Sequence, residues 1–340
     1  MTQPTSVNMT FDTSLVDLNT SFSTTESDPS DVGQAHPTRS TPSAVQTPVL
    51  TQEDVSNSQS QETPKQSQVQ ATSPTPVQHL PTQDAYDQWA LVYDSDGNML
   101  QAIDDMELTE LLAYFLAAVA TTGPASPGAI NILELGCGTG RNTAKLLLYP
   151  WPSHVQVSIT ALDFSRGMLN QASTKLASEP RSPQISSLNL HQTDCFPTMT
   201  NPAASPVPNV PGLETMDAII STLVLEHIPL QPYFATLSSL LAPGGIALVT
   251  NMHSEMGLIS QAGFVNAQGV KVRGKSYAHT VEETVAEAQR AGFEVLDVQE
   301  QSVKREDVES GRVGERGKKW VGTRVWYGLW LRKGKGRPGC

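Results

Sequence analysis

Glu134, Gly136, Gly138 and Gly140 have the types and spacing of a turn that holds a ligand. They lie in Asn131-Ile-Leu-Glu-Leu-Gly-Cys-Gly-Thr-Gly140, where an apolar run with an acidic residue near its end passes into three glycines at alternate positions. Glycine takes positive φ without strain and lets a ligand touch the main chain. Residues 141–149 read as a helix, so the ligand would lie near a helix N-terminus. A dinucleotide turn is spaced G-x-G-x-x-G. Here Gly140 comes one residue early, Arg141 takes the place of the third glycine, and Glu134 would repel a pyrophosphate. A cofactor with a cationic amino acid end suits that carboxylate better. The alternative is a glycine turn with no ligand.

Further groups fall where a nucleoside could use them. Asp163, 27 residues after Gly136, ends a second apolar run and can accept hydrogen bonds from both ribose hydroxyls. Phe164 and Met168 follow and can pack on an adenine face. Asp194, beside Cys195, can accept from an adenine amino group or cap a turn. His227, His253 and His279 can each remove a proton near neutral pH or serve as a cap or loop hydrogen-bonder. Cys137, Cys195 and Cys340 have neither a disulfide pattern nor metal-ligand spacing, so no metal is expected.

The elements that must position these groups alternate. Apolar residues at helical spacing run from Leu108 to Val119, before Thr121-Thr-Gly-Pro. Strands are expected at 131–135, 155–162, 187–191, 216–221, 246–251, 293–298 and 324–331. Ser165 caps a helix over 166–176, Tyr233 to Leu241 is helical before Pro243-Gly-Gly, and Thr280-Val-Glu-Glu283 is a capping box for a helix stopped by Gly292. This order predicts an α/β fold: a doubly wound, mostly parallel seven-stranded sheet with helices on both faces. The last two strands, with no helix expected between them, make an antiparallel edge hairpin. Ligand then sits at the carboxyl ends of the strands. Thr198 to Glu214 is a Pro-rich surface loop, and residues 253–279 are long enough to cover the site.

Composition divides the chain. Residues 1–80 are rich in Ser, Thr, Gln and Pro, with Phe11 and Phe22 as their aromatics and eight acidic residues against Arg39 and Lys65. Such a segment cannot bury enough apolar surface to fold and is expected to be disordered. It carries a charge of −6 of the chain's −12, which leaves −6 on residues 81–340 and disfavours a nucleic-acid partner. No secretory signal is read at the start, and Leu111 to Ala120 is about half the length of a membrane span. A cytoplasmic, reducing setting is expected. Residues 81–333 form the folded domain and 334–340 a flexible basic tail.

The glycine run resembles motif I of the class I S-adenosylmethionine (SAM) methyltransferases. Met216-Asp-Ala-Ile-Ile-Ser-Thr-Leu-Val-Leu-Glu-His-Ile228 resembles their motif IV, and Leu240-Leu-Ala-Pro-Gly-Gly-Ile-Ala-Leu-Val249 resembles the turn before their fifth strand. The resemblance covers residues 85–332 and is strongest to small-molecule enzymes of the ubiquinone-biosynthesis and malonyl-carrier-protein type. It implies SAM as cofactor, main-chain contacts near Ser221 and Thr222 at the methionine end, and closure by Tyr86-Asp-Gln-Trp-Ala-Leu-Val-Tyr-Asp94. Tyr86 and Tyr93 then either face the cofactor or anchor that segment. Residues 86–105 and Thr250-Asn-Met-His253 resemble fungal secondary-metabolite methyltransferases, some of which N-methylate diketopiperazine-type peptides. The expected acceptor is a small molecule. A carrier-bound or peptide acceptor, and a non-catalytic protein with this fold, are the alternatives.

Overall fold

The computed structural model describes residues 76–122 and 129–335. The expectations for residues 1–75, 123–128 and 336–340, Cys340 included, lie outside the described residues. From the N-terminal side the elements are β1 (Val77–His79), α1 (Thr82–Trp89), α2 (Met99–Thr122), β2 (Ala129–Leu135), α3 (Arg141–Leu148), β3 (Gln156–Asp163), α4 (Arg166–Ser178), β4 (Ile185–Gln192) and α5 (Pro197–Thr200). After them come β5 (Met216–Thr222), α6 (Leu230–Leu240), β6 (Leu241–Met252), α7 (Ser254–Gly257), β7 (Gly263–Val265), β8 (Lys271–Arg273), α8 (Val281–Arg290), β9 (Phe293–Ser302), α9 (Arg305–Glu309) and β10 (Arg324–Lys333).

Seven strands form one sheet in the order β4-β3-β2-β5-β6-β10-β9. The first five are parallel to one another, and β10 is antiparallel to both its neighbours. The expected antiparallel hairpin forms that edge, with β9 outermost. Its connection differs from expectation: α9 and a 3-10 turn over Glu315–Trp320 lie between the two strands. Alternate residues of β2 serve opposite faces of the sheet. Ile130 and Ile132 join the core that holds α2, while Leu133 and Leu135 join the core that holds α6. A central strand is therefore apolar throughout, as a parallel sheet covered on both sides requires.

Helix α2 begins nine residues before the predicted start, at Met99 rather than Leu108. The Asn98 side chain accepts from the Leu100 amide at 3.0 Å, which caps it. Polar residues such as Gln101 and Asp104 break the apolar pattern, yet Asp104 is fully buried. It accepts from Trp326 Nε1 at 2.8 Å and Thr250 Oγ1 at 2.6 Å, and it pairs with Arg141 at 2.5 Å. Strand β6 starts directly after α6 rather than at Ile246, because Pro243-Gly244-Gly245 bulges within it. The pairing steps from Met216↔Leu241 to Ala218↔Ile246 across that bulge.

Local signals for the helix ends hold. Ser165 Oγ accepts from the Met168 amide at 3.1 Å, the Thr280–Glu283 capping box is present, and Gly292 has φ +91°. Pro197–Thr200 is one helical turn at the start of the predicted Pro-rich loop. The region 253–279 contributes β7 and β8, which join β1 in a separate three-stranded sheet in the order β1-β8-β7. Val77–His79 thus belongs to ordered structure, which moves the expected boundary at residue 80 back to at least residue 76.

Candidate active site

The turn after β2 has the backbone its glycines anticipate. Gly136, Gly138 and Gly140 have φ of +73°, +54° and +79°. A Cβ on Gly136 would lie 2.4 Å from a Val224 methyl, and one on Gly140 would lie 3.0 Å from Leu176. Packing inside the protein excludes a side chain at Gly136, while at Gly140 the Leu176 side chain would have to give by a few tenths of an ångström. A Cβ on Gly138 would meet nothing within 4 Å, so this glycine faces open space. The turn is tied to β3 through Gly136 N and Cys137 N, which both donate to the Leu162 carbonyl, at 2.8 and 2.9 Å.

Two carboxylates brace it. Asp163 accepts from the Gly138 amide and the Ser165 amide, each at 2.8 Å. Burial pushes its carboxyl up to about 6, against the pull of those two amides. Glu134 is buried on β2 and accepts from the Thr143 hydroxyl at 2.5 Å. Burial pushes it up to about 7, opposed by that hydroxyl and by Arg141.

Residues 76–98 close over this turn. Asp87 accepts from Ser165 Oγ at 2.6 Å and the Gly167 amide at 2.8 Å, at the N-terminus of α4, where an acidic group is favoured. Asp94 accepts from Thr139 Oγ1 and Lys175 Nζ, both at 2.6 Å. Trp89 stacks on Phe264 of β7, with centroids 5.4 Å apart, and its indole N–H donates to buried Asp96 at 2.7 Å.

Beyond β5 the chain makes a strained turn. Leu223 has φ +54° and is the one non-glycine residue with positive φ among the described residues. Such strain persists where surrounding contacts over-determine it. Leu223 N is fixed to the Thr250 carbonyl at 2.9 Å. The turn delivers Glu226 and His227. His227 Nδ1 lies 2.7 Å from the Lys275 carbonyl, so it carries the proton, and Nε2 accepts from the Tyr86 hydroxyl at 2.7 Å. Burial lowers the pKa of this imidazole. Tyr86, Trp89, Tyr93, Leu223, Glu226 and Met252 line a cleft of about 30 Å³, space for a water molecule or two.

A family model described as a methyltransferase domain matches residues 133–247. A protein of Emericella nidulans described as an uncharacterized methyltransferase is 41% identical over 266 residues, covering 74% of this chain and 91% of that protein. The chain belongs to the class I SAM-dependent methyltransferases. Among solved structures, a SAM-dependent methyltransferase from Mesorhizobium loti aligns at 18% identity with a TM-score of 0.42, over 64% of this chain and 96% of that one. Another, from Clostridium acetobutylicum, aligns at 15% identity with a TM-score of 0.43, over 65% and 89%.

SAM is the cofactor of this methyltransferase, and the residues present fit it. Asp96 Oδ1, Asn142 Oδ1 and Ser221 Oγ are buried without a hydrogen-bond partner among the described residues. All three can accept. An unmade hydrogen bond at a buried group costs about 1–3 kcal/mol. SAM is rich in donors, with an ammonium, two ribose hydroxyls and an adenine amino group, and its sulfonium is cationic. Among the described residues no group of His, Cys, Asp or Glu is arranged for a metal ion, and no helix is long and apolar enough to cross a membrane.

The sequence-predicted residues divide by position. Glu134, the three glycines, Asp163, Ser221 and His227 gather at the carboxyl ends of β2, β3 and β5, and Tyr93 lines the cleft. Others are placed differently. Met168 is buried against α1 in a small apolar cluster with Trp89, Phe264 and Val272. Asp194 is exposed and accepts from the Phe196 amide at 2.9 Å, which makes it a turn cap. His253 caps α7 by accepting from the Glu255 amide, and its Nε2 lies 2.8 Å from Glu300. His279 Nε2 donates to the Ile228 carbonyl at 2.8 Å. Phe164 engages Gln83 and Gln192 through its carbonyl. Cys137 and Cys195 are buried free thiols, and burial pushes both pKa values up, so neither is a ready nucleophile. Glu226, Asp96 and Asn142 were not anticipated. Glu226 had one signal: a lone carboxylate between apolar residues just past the end of a strand.

Proposed function

We propose that this methyltransferase acts on nitrogen or oxygen of a small molecule, with nitrogen of a peptide-derived or diketopiperazine-type secondary metabolite preferred. The observation that supports a small acceptor is enclosure. The cleft lies under residues 76–98 and the 253–279 cover, whereas a carrier-bound or peptide acceptor calls for an open groove. The backbone of Gly136–Gly140, Asp163 and Ser221 would hold the cofactor, with Glu134 bracing the turn and Tyr93 against it. When bound, SAM supplies a methyl group already activated by its sulfonium. The protein's part is to orient the acceptor, exclude water and hold a proton. His227 positions a group at the cleft rather than taking that proton, because both its ring nitrogens already have partners. Buried and neutral, it fixes the hydroxyl of Tyr86 at the cleft, whereas His253 caps α7 and His279 donates to the Ile228 carbonyl.

The test is transfer from methyl-labelled SAM into a metabolite extract, followed by mass spectrometry. Label in a small-molecule product, with the species lighter by one methylene accumulating when the gene is disrupted, is the expected result. Label in the protein fraction alone would overturn the reading.

A further inference from the structure

We propose that Glu226 is the acceptor-binding carboxylate and that the acceptor is a basic amine, seated with its ammonium head against Oε2. This rests on the reading of a small-molecule acceptor given above, with the methylated nitrogen an amine rather than a diketopiperazine ring amide. Glu226 is 3% exposed, lines the cleft, and leaves Oε2 without a hydrogen-bond partner. Among the described residues none forms an ion pair with it. Its position is built, because its amide donates to Asn251 Oδ1 at 2.8 Å and its carbonyl accepts from the Tyr277 amide at 2.6 Å. One bond comes from β6, the other from the cover, and the strained Leu223 turn precedes them.

A buried carboxylate with no counter-charge is costly, and a cation relieves that cost. The surrounding walls point the same way. Tyr86, Trp89 and Tyr93 present aromatic rings, and Met252 and Met256 polarizable thioethers, all suited to an organic cation. A cleft of about 30 Å³ admits an ammonium head, close to a water molecule in size. A hydroxyl acceptor would leave the carboxylate uncompensated. Glu226 also receives the proton that the ammonium must lose to free its lone pair: one N–H bond breaks, one O–H bond forms, and carboxylate and ammonium become carboxylic acid and amine.

The sulfonium of SAM is itself an organic cation, so the experiment separates the two. The full chain and Glu226→Gln are titrated by calorimetry with SAM, with its demethylated product S-adenosylhomocysteine, and, in protein saturated with that product, with benzylamine and benzyl alcohol. The wild type is expected to prefer benzylamine by about tenfold or more. Glu226→Gln should lose that preference while keeping its affinity for both nucleosides. Equal binding of amine and alcohol by the wild type, or no amine binding, overturns the proposal even if the variant does not fold. So does a loss of SAM over S-adenosylhomocysteine preference in Glu226→Gln, which would assign the carboxylate to the sulfonium. Failure of the wild type to bind either nucleoside would instead strike at the cofactor site.

Discussion

Gly136 and Gly138 are two residues apart and both have positive φ, yet alanine should affect them in different ways. At Gly136 the new methyl falls 2.4 Å from a Val224 methyl, far inside contact distance. Val224 is held by the strained turn, so relaxation is limited. Left-handed backbone costs an alanine about 1–2 kcal/mol, and overpacking adds roughly 1–3 kcal/mol. Gly136→Ala is therefore expected to lose about 2–5 kcal/mol of stability. At Gly138 nothing lies within 4 Å, so the backbone cost alone remains, about 1–2 kcal/mol. Its methyl would project where the turn meets SAM and should weaken binding by about tenfold or more, each factor of ten being about 1.4 kcal/mol. Urea unfolding without ligand measures the first quantity, and calorimetry with S-adenosylhomocysteine the second. Equal destabilisation by the two substitutions, or wild-type affinity in Gly138→Ala, would refute the division into a packing glycine and a ligand-facing glycine.

Two further expectations follow from the fold and its buried acids. Burial raises Glu134 and Glu226 to about 7 and Asp96 and Asp163 to about 6, from unfolded values near ~4. The folded chain thus keeps protons that the unfolded chain has released. The stability these groups contribute is complete below about pH 4 and is lost as the pH rises through about 6 to 7. The ligand-free protein should have a higher urea midpoint at about pH 5.5 than at about pH 8, with a shallower fall in Glu226→Gln; a midpoint that climbs over this window would contradict the assignment. Deleting residues 1–75 should leave the melting temperature unchanged. Deletion through residue 80 removes β1, its pairing with Lys271–Arg273 and the bond from Leu80 N to the Arg273 carbonyl, and should lower it by about 3 °C or more. Equal melting of the two truncations would show that the small sheet adds no stability.

What could be read in advance was local. Three alternating glycines, a serine before an amphipathic run and a Thr-x-x-Glu box each act within a few residues, so spacing alone reveals them. The misses depend on partners far along the chain. Asp104 looks like a helix-breaking surface acid until Trp326, 222 residues later, supplies its donor. His227, His253 and His279 are alike in sequence, and only their partners separate them. Tyr86, 141 residues before His227, leaves the first of them at the cleft. The insertion of β10 between β6 and β9 also had no local mark, since both strands read as half-buried β segments. Glu226 sat in plain view within Leu225-Glu-His227, but its lack of a counter-charge becomes visible when the neighbours are in place.

The small sheet joins two stretches of chain nearly 200 residues apart: Val77–His79 is zipped onto Lys271–Arg273. Neither half of the roof can swing away alone without tearing main-chain pairing, so the two travel as one shutter. Any opening that admits or releases a nucleoside beneath this cover is therefore expected to move both segments together.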